Sequence, residues 1–300
     1  MKRKIIAIVI LGMFLLASLT ALSTAGIVTS ATSEITAAEK NTNGILAKGD
    51  YTLHDPIKIL SDKDFNAANG VTSGSGTQAD PYIIEGWEID LSGKDSSGIQ
   101  IVSSLLSPVT KYFVIRNCYI HDGQEKGQDG IALNLLKKAQ GSIENCITER
   151  NKKGIDIYGN GIQIKNCVSN YNDFGILVEP DGKNIVIDHC DLSNNIFDGI
   201  LIYCRSTVTV TNCNISDNLN GIDTIGVGGI IPIILKANNN NFKSNNDYCL
   251  LINKKTFGNA KDNYWSDSKG PSGKVFPSYG LFLVWSFPYL TEPNPNAGPQ

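Results

Sequence analysis

One short motif recurs through this chain at intervals of 21 to 28 residues, and repetition at that spacing constrains the fold more than any single residue can. Written ψ-x-ψ-x-x-C-x-ψ, with ψ apolar, it aligns Cys118, Cys146, Cys167, Cys190 and Cys213 in one column. Asn240 and Asn263 continue the column, and Trp87 fits the same frame at the front, which gives eight coils between Tyr82 and Trp265. Apolar or small residues stand three before each column member (Ile84, Ile115, Ile143, Ile164, Ile187, Val210, Ala237, Ala260) and again two after it. A second strand in each coil is marked by Gly-Ile, from Gly98-Ile99 to Gly221-Ile222, with Tyr248-Cys249 as the variant. Short period-2 runs rich in β-branched residues, separated by Asn, Gly and Asp, are strands, and no window carries a helical period. The fold expected is all-β, a single-stranded parallel β-helix.

The position immediately before the column reads Gly86, Asn117, Asn145, Asn166, His189, Asn212, Asn239 and Asp262. These residue types tolerate positive φ, so each coil is expected to bend there through one left-handed residue and to turn the cysteine inward.

The flanks organise around the repeats. Lys2-Arg3-Lys4, the apolar run Ile5 to Leu22 and the small-residue exit Ser23-Thr24-Ala25 read as a secretory signal over residues 1–25, which places the mature chain outside the cytoplasm, secreted or at the cell surface or periplasm. The run is near the minimum length for a membrane span, so an uncleaved anchor is the one membrane association left open. Residues 26–55 read as a linker and 56–81 as an N-terminal cap, with a strand at Ile57 running into a Ser61-capped helical turn. Residues 82–265 are the β-helix, and 266–300 a C-terminal cap and a Pro/Asn/Gly-rich tail expected to lie free. A net charge of −3 without a basic stripe excludes nucleic acid as a partner.

The preface Gly74-Ser75-Gly76-Thr77, the run Asp80-Pro81-Tyr82-Ile83-Ile84-Glu85-Gly86-Trp87, the Ile-x-Asn-Cys and Gly-Ile coils, and the closing Asn263-Tyr264-Trp265-Ser266-Asp267 resemble the secreted right-handed parallel β-helix proteins of the NosD-like, carbohydrate-binding and sugar-hydrolase (CASH) group. The resemblance covers residues 56 to 290. It implies the fold and leaves function open, because that group includes glycan-processing enzymes, accessory factors for copper-enzyme maturation and members without assigned activity.

Stacked cysteines have parallel Cα–Cβ vectors at ~4.8 Å, beyond the Cβ separation of roughly 3.5 to 4.5 Å that a bridge requires, so the column is expected to be reduced and to serve packing. A soft-metal track along the thiolates is the alternative. With both Met residues in the first 13 positions and His54, His121 and His189 scattered, no metal site and no cofactor are expected. Cys204 falls outside the column.

Two outward columns bear on function. Two residues before each column member stand Glu85, Arg116, Glu144, Lys165, Asp188, Thr211, Asn238 and Lys261, with alternating sign in the first five. Glu144 and Asp188 are the catalytic candidates, two rungs or about 9.6 Å apart, at the upper edge of the spacing of inverting glycosidases. Lys165 between them is expected to pair with both and keep them ionised, which speaks against acid–base work. After Gly-Ile, the outward residues Asp156, Tyr158, Leu177, Leu201, Tyr203 and Asp223 form the ligand-binding candidate, with the two leucines expected to be exposed. The favoured reading is a non-catalytic surface scaffold that binds glycan or an envelope protein. The alternatives are a polysaccharide hydrolase or lyase and a NosD-like copper-processing accessory protein. Carboxylates converging in a groove with at least one raised pKa would mark the enzyme; only paired charges on a convex or flat face would mark the scaffold.

Overall fold

The structure is a computed structural model that describes residues 50–300 except 137–139, 181, 204, 226–230, 253–255, 267, 273–274 and 278–282. The expected signal segment, most of the expected linker and Cys204 lie outside the described residues. No helix among the described residues is long and apolar enough to cross a membrane.

The described chain is an all-β parallel solenoid with three strands per rung. Sheet A, nine-stranded, collects the strands that follow the cysteine column, such as Tyr119–His121, Ile147–Glu149 and Asp191–Ser193. Sheet B, also nine-stranded, collects the Gly-Ile strands, such as Ile131–Asn134, Lys153–Tyr158, Phe174–Val178 and Asp198–Tyr203. Sheet C collects those that precede the column, such as Tyr112–Arg116, Gln140–Glu144 and Ile185–Asp188. Register is kept from rung to rung, so Ile115, Ile143, Ile164, Ile187 and Val210 stack as one buried line on sheet C. The stack runs slightly past the eight expected coils. Thr52–Leu53 and Ile57–Ile59 already pair with sheets A and B at the front, and Val275–Pro277 and Leu283–Trp285 add a rung at the back.

All eight residues before the column have positive φ, between 49° and 78°. Each coil therefore bends where Gly, Asn, Asp or His can bear a left-handed conformation, and the next side chain is turned inward. A second left-handed bend, four residues after the column, was not legible beforehand: Asp122, Arg150, Tyr171, Asn194, Asp217 and Ser244 have φ between 53° and 63°. Arg150 and Tyr171 disguise it, since neither type favours that region. Behind this bend stands a buried ladder of Asn151, Asn172, Asn195, Asn218 and Asn245. Each side chain donates to a backbone carbonyl of the preceding rung at 2.9 to 3.1 Å, for example Asn172 Nδ2 to Thr148 O. Each Oδ1 of the last four accepts the backbone N–H of the asparagine one rung earlier. A parallel turn leaves polar backbone groups inside, and a buried orphan costs roughly 1 to 3 kcal/mol, so the ladder keeps the corner closed.

The cysteine column serves the corner between sheets C and A. Cys118, Cys146, Cys167, Cys190 and Cys213 are fully buried and free of disulfides. Each thiol lies 3.2 to 3.4 Å from the carbonyl two residues before it. Where the column changes to asparagine, Asn240 Oδ1 accepts the Cys213 N–H and Nδ2 donates to Val210 O, both at 2.9 Å.

Glycine opens the sheet B strands because the next rung leaves no room for more: a Cβ on Gly175 would sit 2.5 Å from Gly199 O. At the seventh coil this position is Cys249, since Leu250 pairs with Ile222. The repeat there is Cys249-Leu250, one residue later than the expected Tyr248-Cys249, and Leu251 points outward opposite Asp223.

Both ends are covered. Asp62–Asp64 form the expected helical turn after the Ile57 strand, although Ser61 makes no cap bond and its hydroxyl donates instead to Asp64 Oδ2 at 3.0 Å. Phe65 stacks on Tyr82, and Trp87, partly buried, donates to Gly70 O at 2.8 Å. Trp265 closes the far end, stacked on Phe242 at 4.9 Å between ring centres. The tail does not lie free. Asn294 exchanges hydrogen bonds with Asn241, and the Gly298 N–H donates to Asn212 O at 2.8 Å. The cause is a run of asparagines on both partners, whose amides substitute for strand pairing.

Candidate functional site

The two sets of candidate residues stand on different sheets. Glu144 and Asp188 lie on sheet C with Lys165 in register between them. The expected pairing does not form. Glu144 accepts from Ser142 Oγ at 2.6 Å, while Asp188 is held by Thr211 Oγ1 at 2.7 Å, Asn212 Nδ2 at 3.0 Å and His189 Nδ1 at 2.9 Å. Short side chains at the bend reach Asp188 without the entropy cost of ordering a lysine, so they win. Burial works to raise the Asp188 pKa, but the hydrogen bonds from Thr211, His189 and Asn212 outweigh it and hold the carboxyl below its ordinary value. A carboxyl so held is a poor general acid. The ion pair of this column is Arg116 with Glu85, at 2.6 Å.

Sheet B carries the denser chemistry. Asp156, Leu177, Leu201 and Asp223 occupy successive rungs of its middle outward column. Tyr158, Glu179 and Tyr203 follow two residues on, and Asp129, Lys153, Phe174, Asp198 and Asn220 stand just before the glycines. Leu177 and Leu201 are only 4% and 3% exposed, contrary to expectation, because a column of larger side chains stands on either side of them. Tyr158 is exposed at 38%. Lys153 Nζ lies 2.5 Å from Asp156, 3.7 Å from Glu179 and 4.0 Å from Asp129, so one ammonium serves three carboxylates. It does not satisfy them. Asp129 Oδ1 and Asp156 Oδ1 are buried without a hydrogen-bond partner, as is Asn220 Oδ1 three rungs from Asp156.

The pKa pattern follows from that shortage of donors. Burial pushes Asp129 up to about 6 against the pull of Lys153, and Asp198 up to about 7 despite a hydrogen bond from Asn220, with Asp223 adding to the rise. Burial also raises Asp156 and Glu179. Asp129, Lys153 and Asp198 were missed in the sequence, where the residue before each Gly-Ile carried a signal: it is charged in three successive or near-successive coils.

A third cluster lies on sheet A, in the first rungs. His121 stacks on Tyr119 with ring centres 4.3 Å apart, its Nδ1 is 2.6 Å from Asp122 Oδ2, and its Nε2 is 3.3 Å from Glu88 Oε1. Arg150 bonds Asp122, Glu149 and the Tyr119 hydroxyl. One ligand atom each from Asp90, His121 and Asp122 lie within 4.8 Å of one another. Asp90 also lines a shallow hollow of about 330 Å³ with Leu53, His54, Asp55, Ser92 and Lys94. Along the sequence His121 stands far from Asp90, but the two share the offset three after the column and therefore stack.

The thiols offer no comparable surface. The five column cysteines have no exposure, so the column presents no thiol to an ion arriving from solvent.

Comparison with known proteins returns no curated protein and no solved structure that matches. Residues 115–265, just over half of the chain, match the family described as right handed beta helix region, and the matched span begins at Ile115 and ends at Trp265, the inward residues of the second and last column coils. The chain belongs to the right-handed β-helix family.

Proposed function

We propose that this β-helix is an exported, surface-exposed scaffold that binds carbohydrate along the outer face of sheet B, between Asp129 and Asp223. The observation that carries the reading is the set of buried acceptors on that face with no donor: Asp129 Oδ1, Asp156 Oδ1 and Asn220 Oδ1. Those oxygens are closed to solvent, so a hydroxyl-rich ligand acts through their more exposed neighbour: donating to Glu179 frees Lys153 to serve Asp129 and Asp156, which recovers part of the roughly 1 to 3 kcal/mol that each orphan costs. Tyr158, exposed, and Tyr203 at the margin present rings of the kind sugars pack against. Export rests on the N-terminal basic and apolar segment. A protein ligand would have to bring the same donors to the same acceptors.

A glycan array probed with the mature protein tests this. Binding to a defined polysaccharide, weakened at least tenfold in Asp156→Asn, supports the proposal; no binding, or binding indifferent to Asp156→Asn and Asp129→Asn, overturns it.

A second reading, hydrolysis or lysis of the bound polysaccharide, is favoured by Asp198, whose pKa near 7 keeps a proton available at neutral pH. Turnover of the polysaccharide identified on the array, lost in Asp198→Asn while binding persists, would establish it. A copper-handling role draws no support from the column thiols, which are closed to solvent.

A further inference from the structure

We infer that Asp90, His121 and Asp122 form a binding site for one divalent transition-metal ion, of the zinc type, on the outer face of sheet A. The three side chains offer ligand atoms within 4.8 Å of one another, a spacing that one ion can span with bonds of about 2.0 to 2.2 Å and small rotamer adjustments. An imidazole with two carboxylates is a nitrogen and oxygen donor set suited to such an ion rather than to Cu(I).

A second observation points the same way. In the metal-free chain His121 Nδ1 donates to Asp122 Oδ2 at 2.6 Å; when an ion takes the place of that proton, Glu88 Oε1, 3.3 Å from Nε2, is positioned to accept the ring's remaining N–H while Nδ1 ligates. Metal-binding histidines are commonly oriented in this way, by a carboxylate on the nitrogen that does not ligate. The ring is fixed further by its stack on Tyr119, and Asp122 by Arg150, which also anchors the Tyr119 hydroxyl. His121 is 8% exposed, so the site is preformed rather than a chance meeting of mobile side chains. Four carboxylates (Glu88, Asp90, Asp122 and Glu149) face one guanidinium there, a balance that favours a cation. Asp90 is exposed and shared with the hollow beside Ser92 and Lys94, which gives an ion access from solvent and leaves a position for water or a ligand atom.

The test uses the full mature chain, stripped with chelator and titrated with Zn²⁺ by calorimetry. One ion per chain is expected, with at least tenfold weaker binding in Asp90→Asn and in His121→Ala, and a zinc-dependent rise in melting temperature that both variants lose. Asp90→Asn changes an exposed side chain and keeps the test open should His121→Ala fail to fold. Co²⁺ should give a spectrum without thiolate charge-transfer bands. No binding by the wild-type chain, unchanged affinity in Asp90→Asn, or thiolate bands would overturn the site.

Discussion

Sheets B and C both display charged columns, yet they treat their charges in opposite ways. On sheet C the carboxylates have donors of their own: Asp188 has three side-chain partners, Glu85 has Arg116, and Glu144 has Ser142. On sheet B three carboxylates share Lys153, and oxygens of two of them are left without partners. The consequence is a pKa lowered at Asp188 and raised at Asp129, Asp156, Glu179 and Asp198. Counting charges along a column does not separate the two sheets; counting donors does. A solenoid can stack satisfied charges as a structural surface indefinitely, whereas an unsatisfied stack lowers stability and marks where a ligand recovers it.

Asp198 should show the contrast most strongly. Its folded-state pKa is about 7 against an ordinary 3.8, so the native chain holds a proton that the unfolded chain has lost. Stability is then fully present below the unfolded value and declines as pH rises through about 7, by at most on the order of 4 kcal/mol. Asp198→Asn, which cannot ionise, should unfold at higher denaturant concentration than wild type at pH 8 and at a similar one near pH 4. A wild-type stability flat between pH 4 and 8 would remove the contrast.

Lys153→Met comes next in size. Removing the ammonium leaves Asp129, Asp156 and Glu179 facing one another, and breaking a partly buried cluster in this way should cost about 2 to 3 kcal/mol at pH 7, less than for a fully buried pair because the side chains keep some solvent. The carboxyl carbon shifts of Asp129 and Asp156, followed by NMR, should titrate at higher pH than in wild type. An unchanged denaturation midpoint would show that solvent, not Lys153, satisfies the cluster.

How far the sequence could reach follows from these residues. The cysteine column and the positive-φ column were legible because each coil repeats one residue type under one constraint. The asparagine ladder at Asn151 to Asn245 obeys an equally strict rule, but the bend before it is occupied by Asp, Arg, Tyr, Asn and Ser, and the irregular types hide the period. Alternation along each strand places Asp156, Leu177, Leu201 and Asp223 in one outward column of sheet B, but it does not give their exposure, since burial of Leu177 depends on the size of neighbours in adjacent columns. Asp90 and His121 are 31 positions apart and meet only once the register is known. The preference of Asp188 for Thr211 over Lys165 is a competition among rotamers, and no spacing rule encodes it.

The smallest expected effect tests the satisfied side of the comparison. In Glu144→Gln/Asp188→Asn the chain loses two carboxylates from sheet C. Asp188 has a lowered pKa, so its contribution is present above the unfolded value and is lost as pH falls through the folded one. The double variant should therefore be less stable than wild type at pH 7 by about 1 kcal/mol, and the gap should close as pH falls through the lowered folded-state value of Asp188 and the wild-type carboxyl takes up its proton. Carbohydrate binding should stay within twofold of wild type, because both residues stand on sheet C while the starved acceptors stand on sheet B. If the double variant instead abolished binding or a measurable polysaccharide cleavage, sheet C would be the working face, and donor supply would have failed to tell a structural column from a functional one.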